Sequence, residues 1–153
     1  MNDDNPKRHL LPPHLVALAL LVMAALHFFL PVLHVLPWPW NLTGLLPLAV
    51  GMVVFLLAAI EFRRAHTTIM PFKPSSALIT SGMYRVTRNP IYLGMTFWLI
   101  GAAMLFGTLT PLFVWPGFVL VVDLLFVRAE ERMLAERFGD SFSAYRQCVR
   151  RWI

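Results

Sequence analysis

Charged residues and cysteine are both scarce in this chain. Only 14% of its 153 residues are charged and 58% are hydrophobic, whereas soluble domains have about 25% charged residues. Its one cysteine, Cys148, excludes an internal disulfide, and no Cys/His spacing typical of a metal site is present. No G-x-G occurs among the eight glycines, which argues against the sheet-and-helix fold in which many soluble enzymes bind nucleotide cofactors. The composition is that of a membrane protein.

Long stretches without Asp, Glu, Lys or Arg hold most of the apolar residues. A membrane-crossing helix needs about 20 largely apolar residues. The sequence therefore predicts four spans, at about 14–36, 42–62, 90–108 and 111–129. We expect an all-α, polytopic membrane protein with a single domain over 1–153. Residues 1–62 contain the first transmembrane hairpin, and residues 63–153 contain a connector, the second hairpin and a helical tail.

The basic residues fix the expected orientation. With four spans, all thirteen Lys and Arg residues fall on one side of the membrane, because the segments "PWPWN" and "GTLTP" between paired spans carry no charge. The positive-inside rule then places both termini in the cytoplasm, in a plasma or inner membrane. Topology and anionic lipids account for the net charge of +5, so no nucleic-acid partner is expected.

The stretch "YRVTRNPIYLG", residues 84–94, gathers polar chemistry at the start of the third span. Pro90 suits the first helical turn and Asn89 the N-cap. A helix start with free N–H groups suits an anion, and Arg85 and Arg88 add positive charge. The alternative is an ordinary helix boundary with snorkelling arginines and interfacial aromatic rings.

A second polar cluster lies at the end of the fourth span. Asp123 lies within this span, and an acid at that depth indicates either function or an ion pair between helices. Seven residues place Asp123 and Glu130 on nearly the same face, whereas Arg128 is expected to lie too far round the helix to pair with Asp123. Glu130 and Glu131 lack an opposite charge four residues on, so we expect their loss to change stability little.

The two clusters together carry a family resemblance. The segment "SGMYRVTRNPIYLG", followed by "RAEERMLAERFGDSFSAYRQCVRRWI", resembles the C-terminal signature of the isoprenylcysteine carboxyl methyltransferase and phospholipid methyltransferase superfamily. The likeness covers about Leu78–Ile153. Three positions depart from the pattern: Met83 replaces a usual Pro, Asn89 is the less common alternative to His, and Phe142 replaces a Tyr.

The resemblance implies a membrane-embedded methyltransferase that uses S-adenosylmethionine. It implies that the start of the third span binds the cofactor and that the acidic pair Glu130 and Glu131 closes the cofactor pocket. Tyr84 belongs to the same motif, and Tyr145 lies in the tail that covers the pocket. The implied cofactor-binding residues are Tyr84, Arg88, Asn89, Pro90, Tyr92, Gly94, Glu130, Glu131 and Tyr145.

The chemistry expected of these residues follows from the cofactor's groups. A helix start with an arginine suits its carboxylate, and glutamates suit its ammonium or ribose hydroxyls. As catalytic residues we expect Arg85 or Arg88 to orient an acceptor carboxylate, or Glu131 to take a proton from an acceptor amine. The acceptor is expected to be lipophilic, with a carboxylate, amine or thiol nucleophile, and to arrive from the membrane lipids. The alternative function is a small four-helix transporter or binding protein that uses Asp123.

Other residues receive structural interpretations. We interpret His27 and His34 as polar contacts within the helix bundle, and the alternative for His27 is a single axial ligand to a haem or metal. Gly94 and Gly101, seven residues apart, are expected to permit close helix packing. Gly139 is expected to end a helix.

Overall fold

The computed structural model describes residues 11–66 and 77–153, so most of the connector between the hairpins lies outside the described residues. Five α-helices, a π-helical turn and short 3-10 turns make up these ranges, and no strand occurs within them. The helices are α1 (Pro12–Phe29), α2 (Leu45–Arg64), α3 (Pro90–Phe106), α4 (Val114–Val122) and α5 (Arg128–Cys148). The π-helical turn Asp123–Val127 joins α4 to α5 without a break.

The helices correspond to the four predicted spans. Three helical stretches, Pro12–Phe29, Trp40–Arg64 and Thr110–Cys148, are long and apolar enough to cross a membrane. Helix α3 has 17 residues, which is the lower limit of about 17–25 for a span. The prediction of an all-α polytopic fold is confirmed. Helix α1 ends before residue 36 because Pro31 disfavours helical geometry at Leu30.

Two reciprocal pairs of glycines bring α2 and α3 into backbone contact. A Cβ placed on Gly51 would lie 2.6 Å from the carbonyl oxygen of Gly94, and one on Gly94 would lie 2.8 Å from that of Gly51. Gly44 and Gly101 show the same relation at 2.5 and 2.6 Å. The two helices are therefore antiparallel, and the packing predicted for Gly94 and Gly101 is confirmed.

Polar contacts join the end of α1 to the residues that follow α3. The ring Nδ1 of His27 lies 2.9 Å from the hydroxyl of Thr108, which is fully buried. The interpretation of His27 as a bundle contact is confirmed. It is wrong for His34, whose side chain is exposed and whose backbone pairs with Thr108 in an isolated bridge.

The π-helical turn changes which side chains share a face. The backbone N–H of Arg128 donates to the carbonyl of Asp123, five residues earlier. This wider turn brings the Arg128 Nε within 2.9 Å of the Asp123 Oδ2. The prediction that Arg128 lies too far round the helix to pair with Asp123 is therefore wrong, because it assumed 3.6 residues per turn throughout.

Gly139 breaks α5 as predicted. Its φ of 49° and ψ of −120° interrupt the helical geometry, which favours glycine because a side chain is strained at positive φ. The chain becomes helical again and buries Phe142, which is 2% exposed. This kink directs the end of α5 back towards the start of α3.

Candidate functional site

Three parts of the chain meet at the start of α3. The residues before α3 face the residues after α5, and the first turn of α5 packs beside both. The backbone N–H of Arg88 donates to the carbonyl of Arg150 at 3.0 Å. The carbonyl of Arg151 accepts from the Thr87 hydroxyl at 3.0 Å and from the Asn89 amide at 2.9 Å. The segment after α5 is thereby tied across the helix start.

Asn89 has a different role from the one predicted. It occupies the N-cap position and Pro90 the first turn, as expected, but the Asn89 side chain makes no capping hydrogen bond. Its side-chain amide donates to the backbone carbonyl of Arg151 instead, and its backbone N–H donates to the Thr87 hydroxyl at 3.2 Å. The start of α3 therefore lacks the side-chain cap that an Asn normally supplies there.

An ion-pair network joins the end of the chain to the two helices. Arg151 binds Glu131 through two nitrogens, Nη2 to Oε2 at 2.6 Å and Nε to Oε1 at 3.1 Å. The same guanidinium reaches the Asp123 Oδ1 at 3.3 Å, and Arg88 Nη2 lies 3.0 Å from the Glu131 Oε1. The hydrogen bond to Glu131 is the main reason that the pKa of Arg151 is raised. Such two-point pairs fix both partners geometrically.

The network corrects the predicted alignment of the acids. Asp123 was expected to share a face with Glu130. The extra residue of the π-helical turn places Asp123 in register with Glu131 instead, since both contact Arg151. Glu130 points to α3, where it accepts a hydrogen bond from the Tyr92 hydroxyl at 2.7 Å.

Arg88 is the least satisfied side chain of the cluster. Its side chain is 9% exposed, and only its Nη2 has an acidic partner. Its Nε and Nη1 are buried and have no hydrogen-bond partner among the residues that the structure describes. Burial lowers the pKa of Arg88, and the neighbouring Glu131 opposes that change. Buried donors without partners are costly, so two in one guanidinium indicate a place for an acceptor.

Aromatic residues close one side of the cluster. The Tyr145 hydroxyl donates to the backbone carbonyl of Tyr84 at 2.6 Å. Tyr84 is buried and packs edge-on against Phe62 of α2 at 5.8 Å between ring centroids. Burial raises the pKa of its phenol well above the ordinary value. The end of α5 is therefore fastened above the turn that precedes α3.

Most of the predicted site residues come together here, with two exceptions. Gly94 faces α2, where the Gly51 carbonyl fills the space that a side chain would need. Arg85 is exposed, and it forms no ion pair within residues 11–66 and 77–153. No group of three His, Cys, Asp or Glu side chains in these ranges is placed to hold a metal ion.

Sequence reasoning missed two members of the site. The first is Arg151, one of several basic residues in the tail, and nothing in its spacing distinguishes it from Arg150. The second is Glu61, and its signal in the sequence is an acid at the end of an apolar span, where acids are unusual. It accepts from Ser81 and from Arg64, the latter at 3.1 Å, and so holds the turn that carries Tyr84.

Comparison with known proteins places the chain in a family. The sequence pattern described as phospholipid methyltransferase matches residues 40–141, which is 102 of the 153 residues. This chain belongs to the phospholipid methyltransferase family. The superfamily resemblance of the two motifs is thereby confirmed, and with its apolar helices the chain is an integral membrane protein.

Several curated relatives bear a related name. The probable protein-S-isoprenylcysteine O-methyltransferase of Oryza sativa subsp. indica is 30% identical over 118 residues, which cover 73% of this chain and 60% of the relative. The protein-S-isoprenylcysteine O-methyltransferase of Schizosaccharomyces pombe is 36% identical over 75 residues, covering 47% of this chain and 30% of the relative. The Tribolium castaneum protein of the same name is 29% identical over 127 residues, which cover 80% of this chain and 44% of the relative. The chain thus spans 60% or less of the length of these three relatives, and no solved structure matches it.

Proposed function

We propose that this protein transfers a methyl group from S-adenosylmethionine to a lipophilic acceptor whose nucleophile is a carboxylate, an amine or a thiol. The observation that carries the proposal is the buried Arg88, which has two donors without a partner among the described residues, next to a helix start without a side-chain cap. The family match supports it, as do the names of the relatives.

The residues present fit the charged groups of the cofactor. Arg88 Nε and Nη1 and the start of α3 would receive its carboxylate, because both supply N–H donors in a buried setting. Glu130 has no cationic partner among the described residues and would accept from the ammonium or a ribose hydroxyl. Asn89 and Pro90 shape the helix start, and Tyr92 holds Glu130.

Glu131 takes a positioning role in this proposal. Both of its oxygens are already engaged by Arg88 and Arg151. Glu131 would therefore hold Arg88 with its free nitrogens turned towards the ligand. An acceptor carboxylate would be oriented by the exposed Arg85, because the Arg88 Nε and Nη1 are assigned to the carboxylate of the cofactor.

The chemistry needs little from the protein beyond placement. When bound, S-adenosylmethionine supplies a methyl group already activated by its sulfonium centre. The residues around the site would align the acceptor and exclude water. The bond between Tyr145 and the Tyr84 carbonyl, with the backbone bonds of Arg150 and Arg151, closes the side that faces the aqueous phase.

The acceptor would reach the site from the lipid. The cluster lies at the ends of apolar helices, so a molecule with an apolar tail could keep that tail in the bilayer while its headgroup meets α3. The distribution of basic residues supports a cytoplasmic site with both termini on that side, in a plasma or inner membrane.

The transporter hypothesis has no observation in its favour. It requires a carboxylate at Asp123 that is free to exchange an ion. Asp123 is instead paired with Arg128 at 2.9 Å and with Arg151 at 3.3 Å.

Calorimetric titration of S-adenosylhomocysteine into the purified, detergent-solubilised chain tests the proposal. We expect saturable binding by the wild type and transfer of a labelled methyl group from S-adenosylmethionine to a hydrophobic acceptor. A wild-type protein that melts cooperatively but shows no heat of binding would contradict the proposal.

A further inference from the structure

An open cavity of about 450 Å³ lies beside the first turns of α5. Four arginines line it together with Glu131, and Leu124 forms part of its wall. The four are Arg128, Arg132, Arg146 and Arg151. Two of them, Arg132 and Arg146, take no part in the methyl-transfer cluster described above.

Positive charge is in excess around this cavity. Two carboxylates, Glu131 in the wall and Asp123 behind it, are shared by Arg128 and Arg151. Arg132 donates only to the backbone carbonyl of Arg128, and Arg146 forms no ion pair within the described ranges. The four lining arginines exceed these two carboxylates by two, and Glu131 is also shared with a fifth arginine, Arg88. Guanidinium groups that share a cavity repel, and a phosphate between them would remove that repulsion and accept their N–H donors.

The cavity also borders the surface that faces lipid. Leu124 is 47% exposed although it lies in the fourth span, and Leu120, one turn earlier, is 58% exposed. The cavity thus has arginines on one side and continues on the other into an apolar surface that leads along α4. A free phosphate would contact only the arginines, whereas a lipid would contact the arginines with its headgroup and the apolar surface with its acyl chain.

We propose that this cavity binds the phosphate headgroup of an anionic bilayer lipid, with its acyl chain along the exposed Leu124 of the π-helical turn and Leu120 of α4. The proposal is independent of methyl transfer, because it depends on Arg132 and Arg146. A lipid bound here would lie against Arg151 and Glu131, and so beside the cofactor site.

The test uses the full-length chain in mixed micelles and a matched pair of variants. Phosphatidylglycerol and phosphatidylcholine are titrated, and binding is followed by the melting temperature. The double variant R132Q/R146Q removes the two unpaired cavity charges. The control R63Q/R137Q removes two exposed arginines that do not line the cavity, at the same cost in net charge.

We expect phosphatidylglycerol to stabilise the wild type and the control at a lower mole fraction than phosphatidylcholine does. The R132Q/R146Q variant should need roughly 30-fold more phosphatidylglycerol, since each basic residue near an anionic surface raises the affinity about fivefold. Its affinity for S-adenosylhomocysteine should stay within about twofold of the wild type. That readout separates this proposal from the methyltransferase proposal.

Three results would overturn the lipid site. Equal loss in the control would show that general surface charge attracts the lipid. Equal stabilisation by phosphatidylcholine would show that the cavity does not select for an anionic headgroup. Stabilisation by sn-glycerol 3-phosphate at the same concentration as phosphatidylglycerol would show that the ligand is a soluble phosphate.

Discussion

Arg151 and Glu131, twenty residues apart in the chain, form a two-point ion pair with its shorter contact at 2.6 Å. Glu131 also pairs with Arg88 at the start of α3, and Arg151 continues to Asp123 in the membrane-spanning part. One carboxylate therefore connects the end of the chain to both helices of the candidate site. Two of the four predictions below follow from this network and its neighbours.

Glu131→Gln should destabilise the protein. The substitution leaves the buried Arg88 without an opposite charge, and it weakens the anchor of Arg151. We expect a loss of about 3 kcal/mol, the lower part of the range for a broken buried pair, because Arg151 is 34% exposed. This reverses the expectation that loss of Glu131 changes stability little. Thermal unfolding without ligand measures it, with the exposed Glu136→Gln as the control that should stay within about 0.5 kcal/mol. Equal melts of the two variants would rule out a structural role for the ion pairs.

Arg88→Gln and Glu130→Gln should weaken cofactor binding. A charge-assisted hydrogen bond contributes about 1.5–3 kcal/mol, so the affinity for S-adenosylhomocysteine should fall roughly 10- to 150-fold in each variant. Glu130→Gln should keep its stability, because the amide oxygen can still accept from Tyr92. His27→Ala, at the far end of the bundle, should leave the affinity unchanged. The measurement is calorimetric titration, and wild-type affinity in both site variants would remove these residues from the cofactor site.

Gly51→Ala should loosen the contact between α2 and α3. Its Cβ would lie 2.6 Å from the carbonyl of Gly94, and backbone on both sides cannot yield without separating the helices. We expect a lower melting temperature and a loss of about 1–3 kcal/mol, as for overpacked cores. Gly117→Ala is the matched control, because a Cβ there meets nothing within 4 Å. In that open helical position alanine should be neutral or stabilising by up to about 1 kcal/mol. Equal melting temperatures for Gly51→Ala and Gly117→Ala would show that α2 and α3 are not in tight contact at Gly51.

The orientation can be tested by cysteine labelling of intact cells. In a background with Cys148→Ser, single cysteines at Trp38 and Phe113 should react with an impermeant maleimide from outside. Trp38 lies in the connection before α2 and Phe113 in the short 3-10 turn before α4, and they are well exposed, at 79% and 70%. Cys148 in the wild type is exposed in the structure but should react only after the cells are opened. Labelling of Cys148 from outside would invert the proposed topology.

The sequence by itself determined the membrane class, the number of spans and the residues of the two polar motifs. Apolar length and charge placement are local properties, and the bilayer imposes the same length on every helix that crosses it. Pro90 and Gly139 also follow from local backbone preference. The spacing of Gly94 and Gly101 predicts that they permit close helix packing, but it does not identify their partners Gly51 and Gly44.

Only the tertiary structure decided how the polar residues are paired. The π-helical turn at Asp123–Val127 adds one residue to a helix, and this moves Arg128 onto the face of Asp123 and replaces Glu130 by Glu131 in register with it. Arg151 becomes part of the site because the chain after α5 returns across the start of α3 and uses its carbonyl to hold Asn89. Neither change leaves a periodic pattern in the sequence. The place of Arg151 depends on contacts between residues distant along the chain, which form only when the helices have packed.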